Sequence, residues 1–138
     1  MVDSDIVLAK TAIIQRCLKR IADVTHLDPA SLHDLDIQDI FVLNLQRAVQ
    51  AAIDIAGHIV ADEGLGLPQS LRDHFDLLVT NKIVTPDLGK KLNAMVGFRN
   101  IAVHEYQNLD PAILQVILTK HLKDLEAYYR TILKYCGL

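Results

Sequence analysis

From residue 4 to the C-terminus, apolar side chains return every three or four positions, and no segment keeps up the alternation of a half-buried strand. A chain patterned in this way buries its apolar stripes by packing helix on helix, so the reading is all-α. At 138 residues and 51% hydrophobic content, it is long enough for a core and too short for separate cofactor and substrate domains. Residues 1–138 are read as one domain, an up-and-down bundle of about five helices.

Capping residues and turn formers mark the expected helix limits. The first helix is predicted to start at the cap Ser4 and to bury Ile6, Ala9, Ile13, Cys17, Leu18, Ile21 and Val24, ending before Asp28-Pro29. A loop over 26–36 leads to a long central helix from Ile37 to Ala61, stopped by Gly64-Leu-Gly-Leu-Pro68. Ser70, with Asp73 three residues on, opens a short helix ending near Val79. Thr85-Pro86 opens a fourth, which carries Leu88, Leu92, Met95, Val96 and Phe98 and runs to His104. Asp110-Pro111 opens the last, with Ile113, Val116, Ile117, Leu122, Leu125, Tyr128, Ile132 and Leu133 facing inward.

Charge and cysteine usage remove several function classes. A net charge of -3 argues against a broad basic surface for nucleic acid. Residues 1–89 carry 7 Lys+Arg against 13 Asp+Glu, and residues 90–138 carry 7 against 4; solvated helix faces of uneven charge account for this difference, and if an anionic substrate binds, the second half is where to look. Cys17 and Cys136 fit neither a disulfide framework nor a zinc spacing and read as reduced thiols. No run reaches the ~18 apolar residues of a membrane span, and the acidic start Met-Val-Asp-Ser-Asp is unlike a signal peptide. The expectation is a soluble cytoplasmic protein.

Cofactor chemistry is not expected, because there is no Gly-rich phosphate loop, no Cys-x-x-Cys and no Glu-x-x-His pair. Asp54 and His58 stand one helical turn apart and could share a metal or an ion pair. Two ligands alone do not make a metal site, so a plain side-chain contact is favoured. Asp23 and His26 read as a local cap, and His33, His74 and His121 as isolated surface residues.

The remaining cluster is Arg99-Asn100-Ile101-Ala102-Val103-His104-Glu105-Tyr106. On a helix turning about 100° per residue, Phe98, Ile101 and Ala102 share the core side, Arg99 and Tyr106 a second side, and Asn100 and His104 a third. Arg99 and His104 are about 140° apart, so one copy does not close on a single phosphate. Either the helix unwinds near His104, or two copies meet across a two-fold axis. These residues alone leave catalysis open, since a helix-terminal His also meets the dipole and an Arg also pairs with a carboxylate.

Arg99-Asn100-x-x-x-His104-x-Tyr106 resembles the Arg–His signature of the HEPN superfamily, in the form found in HepT-type toxins. Asn44-Leu-Gln-Arg47 with Ile53-Asp-Ile-Ala56-x-His58 resembles the second helix of the same family, and Leu67-Pro68-Gln69-Ser70 resembles its following turn. The resemblance implies a homodimeric helical bundle with ribonuclease activity, the toxin of a type VII pair whose antitoxin is an MntA-like minimal nucleotidyltransferase. It implies that Arg99 and His104 are catalytic and that the antitoxin silences the toxin by transferring AMP to Tyr106. On that view RNA cleavage is metal-independent. His104 deprotonates the ribose 2′-hydroxyl, Arg99 holds the non-bridging phosphate oxygens, and Asn100 supports the site by orienting the imidazole. HEPN-like bundles also act as non-catalytic binding or scaffold subunits of nucleotidyltransferases, a role that the acidic net charge favours.

Overall fold

Side chains just ahead of each apolar stripe set where the helices begin. In the computed structural model, which describes residues 2–138, the main helices are α1 (Ser4–Thr25), α2 (Leu35–Asp62), α3 (Leu71–Thr80) and α4 (Pro86–His104). A last helical segment follows as α5 (Pro111–Val116), a π turn (Ile117–His121) and α6 (Leu122–Tyr135). Short 3-10 turns occupy Pro29–His33 and Tyr106–Asn108, and no strand occurs among the described residues.

The cap of α1 is Asp3 and not Ser4: its carboxylate accepts the backbone N–H groups of Asp5 and Ile6, leaving Ser4 as the first helical residue. Asp34 does the same for Asp36 and Ile37, so α2 starts two residues before the predicted Ile37. Ser70 Oγ accepts from the Asp73 N–H, and the Asp73 carboxylate accepts in return from the Gln69 N–H at 2.7 Å, a capping box displaced by one residue. Thr85 caps α4 through the Leu88 N–H, with Pro86 at the first helical position as expected.

Helix α2 is the central element, packing against α1, α3, α4 and α6, and it buries Phe41, Leu45, Val49, Ile53, Ala56 and Ile59 among others. On α1 the buried residues are Val7, Thr11, Ile14, Cys17, Ile21 and Thr25, a face turned by about 80° from the predicted stripe. Two threonines conceal that register in the sequence. Thr25 enters the core because its hydroxyl donates to the Ile21 carbonyl at 2.6 Å, while Ile6 stays exposed.

The last helical segment also departs from expectation. Leu114, Ile117, Leu118, Leu125, Tyr128 and Ile132 are buried, whereas Ile113 and Val116 are exposed. Those two lie about 90° and 150° around the helix from its buried face. Tyr128 ties three helices together: its hydroxyl donates to the Ala52 carbonyl at 2.8 Å, and its ring meets Phe75 edge-on at 5.6 Å. Burial pushes its phenol well above the ordinary tyrosine value. No described helix is long and apolar enough to cross a membrane.

Helices α3 and α4 approach closely at Gly89. A Cβ added there would lie 2.4 Å from Val79 Cγ2, a β-branched side chain with little freedom to move away. Gly89→Ala is therefore expected to destabilise the chain by about 1–2 kcal/mol, overpacking outweighing the better helix propensity. Chemical denaturation of the two proteins measures the difference directly.

Candidate active site

The backbone of α4 stops at the residue that the sequence singles out. Glu105 leaves helical geometry, with φ -140 and ψ 48, while its N–H still bonds the Ile101 carbonyl at 2.7 Å. His104 is thus the last helical residue, and Tyr106 begins the following 3-10 turn. Tyr106 consequently does not continue the α4 face that carries Arg99, as an uninterrupted helix would require.

Arg99 is half-buried and held from two sides. Its Nη2 donates to Gln50 Oε1 at 3.1 Å and its Nη1 to Asn100 Oδ1 at 3.3 Å. Gln50 in turn donates to Asp54 Oδ1 at 2.9 Å, and Asp54 Oδ2 is paired with Lys10 Nζ at 3.0 Å. This relay runs from α4 across α2 to α1. Its electrostatic consequence is specific: the acceptors touching Arg99 are neutral amides, and the one carboxylate in the chain of contacts is already matched by Lys10. No carboxylate meets the guanidinium among the described residues, and its Nε is buried with no acceptor among them.

Asn100 Oδ1 is engaged by Arg99, so within this copy its hydrogen bond supports the arginine. His104 is exposed, and its imidazole makes no hydrogen bond or ion pair among the described residues. Tyr106 donates its phenolic hydrogen to the carboxylate of Asp39 on α2. Burial, that hydrogen bond and the negative charge of Asp39 push the Tyr106 pKa up to about 12, so the hydroxyl stays protonated at neutral pH.

The side-chain contact expected between Asp54 and His58 is not made: the two share no hydrogen bond or ion pair among the described residues. Asp54 belongs to the Arg99 relay, and His58 Nε2 accepts the backbone N–H of Asp3 at 3.1 Å. His121 is not isolated either, since its Nδ1 lies 2.9 Å from the buried Asp124 carboxylate. The sequence reading passes over Gln50 and Asp39. Gln50 carries a local signal, its four-residue spacing from Asp54 on one helix. Asp39 carries none, because its contact with Tyr106 joins residues 67 apart.

Beside this cluster lies an apolar groove of about 830 Å³ between α4 and α5, lined by Met95, Phe98, Ile101, Leu109, Ile113 and Val116. Phe98 and Ala102 pack into the bundle as expected. Ile101 does not: it is 41% exposed on the wall of the groove.

Residues 14–132 match the family described as ribonuclease HepT-like. The chain is 46% identical over 125 residues to the mRNA nuclease HepT of Shewanella oneidensis, an alignment covering 91% of this chain and 94% of that protein. It is 35% identical over 91 residues to the tRNA nuclease HepT of Aphanizomenon flos-aquae, covering 66% of this chain and 62% of that protein. Among solved structures, the tri-AMPylated Shewanella oneidensis HEPN toxin in complex with MNT antitoxin superposes with a TM-score of 0.89 at 45% identity. That match covers 94% of this chain and 98% of the toxin. The α4 terminus with its Arg99 relay therefore sits in a chain that belongs to the ribonuclease HepT-like family.

Proposed function

We propose that this chain is the toxin of a toxin–antitoxin pair, a metal-independent RNA endonuclease that an MntA-like nucleotidyltransferase silences by transferring AMP to Tyr106. The observation that carries this reading is the setting of Arg99. An arginine positioned by amide oxygens, with no carboxylate to cancel it, is prepared for an anion, and an unbonded His104 lies five residues further along the same helix.

In the cleavage step His104 takes the proton of the ribose 2′-hydroxyl, a task suited to imidazole near neutral pH. The 2′ oxygen bonds to the adjacent phosphorus, the bond from phosphorus to the 5′ oxygen breaks, and that oxygen leaves with a proton from the partner subunit's His104. Arg99 binds the non-bridging oxygens and stabilises the charge that builds on the phosphorane. The products end in a 2′,3′-cyclic phosphate and a 5′-hydroxyl, and DNA is spared because it lacks the attacking group.

Homodimerisation fits the α4/α5 groove. Ile101, Ile113 and Val116 are large apolar side chains left exposed in the groove beside the Arg99–His104 segment, and a patch of that kind calls for a cover. A two-fold axis along α4 supplies a second copy as that cover and brings two Arg99 and two His104 side chains into one cleft. The buried residues form one hydrophobic cluster, which supports reading residues 1–138 as a single domain. An RNA substrate and the lack of any membrane-crossing helix among the described residues are consistent with work in the cytoplasm.

The test uses purified chain shown by mass to carry no AMP on Tyr106, incubated with RNA in the presence of EDTA. Fragments ending in 2′,3′-cyclic phosphate are expected. Intact RNA from that preparation would move the reading to a non-catalytic scaffold subunit of a nucleotidyltransferase.

A further inference from the structure

A second cleft, of about 510 Å³, lies between α1 and α2. Arg16 and Arg20 on α1 and Arg47 on α2 line it, with Leu43, Asn44 and Cys17 between them. All three arginines are exposed, and none meets a carboxylate within ion-pair distance among the described residues. Arg16 and Arg20 are four residues apart on one helix, a like-charge spacing that costs helix stability. The acid nearest to Arg20 on α1, Asp23, is taken by Lys19 at 3.0 Å. The arginines converge on the floor: burial pushes the Cys17 thiol up, while Arg47 and Arg16 both act against that rise.

Three unmatched cations in one cleft are notable in a stretch where residues 1–89 hold 13 acids against 7 bases. Charge repulsion of this kind is relieved when an anion enters. The location narrows which anion. Along α2, Gln50 touches Arg99 and Asp39 touches Tyr106, and Leu43, Asn44 and Arg47 fall between those two contacts. That stretch of α2 rises about 16 Å, room for several nucleotides of an extended strand, and Arg47 is only about 4.5 Å along the axis from Gln50.

We propose that the α1/α2 arginine cleft holds the phosphate backbone of single-stranded RNA leading to the cut site. The proposal rests on the nuclease reading above. Its composition favours a polyanion over a protein partner: the cleft combines three arginines with one strongly exposed apolar side chain, Leu43, whereas the centre of a protein interface is depleted of charge. It also gives the nucleotide on Tyr106 a second effect. Asp39, which receives the Tyr106 hydroxyl, is one helical turn from Leu43, so an adenylate there adds an anion at the end of the same track.

The experiment measures binding apart from cutting. A fluorescein-labelled single-stranded RNA is titrated by anisotropy into His104→Ala protein, with and without the triple change Arg16→Gln, Arg20→Gln, Arg47→Gln, at several salt concentrations. The triple change is expected to weaken binding on the order of 30-fold and to reduce the slope of log K against log salt by about 2. Arg→Lys at the same three positions is expected to keep most of the affinity, since phosphate tracking needs charge more than a fork. Should the triple variant melt early, Arg47→Gln alone is expected to cost about fivefold. Unchanged affinity and slope would overturn the proposal. So would a variant that binds RNA normally but no longer associates with the nucleotidyltransferase antitoxin, which would make the cleft a protein-docking face. Failure of the nuclease reading looks different: wild-type chain free of AMP leaves RNA intact, whatever the arginines do in the binding assay.

Discussion

His104→Ala is expected to slow RNA cleavage on the order of 10³-fold and to abolish growth arrest on induction, with the fold intact. The side chain is exposed and unbonded at the end of α4, so its removal opens no cavity and orphans no buried partner. Single-turnover cleavage and a thermal melt on the same preparation separate loss of cleavage from loss of fold. Loss of helicity together with activity would make the histidine structural. Arg99→Lys is the companion change. An ammonium carries the charge but cannot span Gln50 and Asn100 while presenting a planar fork to phosphate, so cleavage is expected to fall about 100-fold. Near-normal cleavage by that variant would remove Arg99 from the mechanism.

Sequence periodicity and caps were enough to find the helices because both are local. Thr85-Pro86 and Asp110-Pro111 start helices where expected, and α4 ends at His104 as read. The faces were harder to read. Thr11 and Thr25 look polar in sequence but are buried, Thr25 through a hydrogen bond to its own helix, and the stripe drawn without them keeps Cys17 and Ile21 in the core but takes in the exposed Ile6 and Ala9. Ile101, Ile113 and Val116 look like core by type, yet they line an open groove, because hydrophobicity says that a residue wants cover without saying what supplies it. The π turn at Ile117–His121 has no signal that a helical period reveals.

The Arg99–His104 segment is visible in the sequence because both residues lie on one short stretch of chain, and the role proposed for it comes from the family resemblance. Its supports are not. Gln50 reaches Arg99 across 49 residues of sequence and Asp39 reaches Tyr106 across 67, so neither contact exists until α2 and α4 are packed together. Charge averaged over half the chain pointed to residues 90–138, while Arg16, Arg20 and Arg47 share one cleft within the acidic half. A net charge counts groups, and a binding site depends on which of them are left without partners.

Tyr106→Phe is expected to leave an active nuclease that the antitoxin no longer neutralises by modification. On the proposed function the phenolic oxygen accepts the adenylate, and in this structure it is held against Asp39 with its pKa pushed up to about 12. Transfer therefore needs an acceptor for that proton, and the Asp39 carboxylate already receives the hydrogen bond. Phenylalanine removes the acceptor of AMP at a stability cost of about 1 kcal/mol for one exposed hydrogen bond. Co-expression with antitoxin is the measurement, with intact mass read on the recovered chain. Wild type is expected to gain AMP and permit growth, while the variant gains none and arrests growth in spite of the antitoxin. If the antitoxin silenced the Phe variant fully, inhibition would come from binding alone, and the anion at the Asp39 end of α2 would have no part in it.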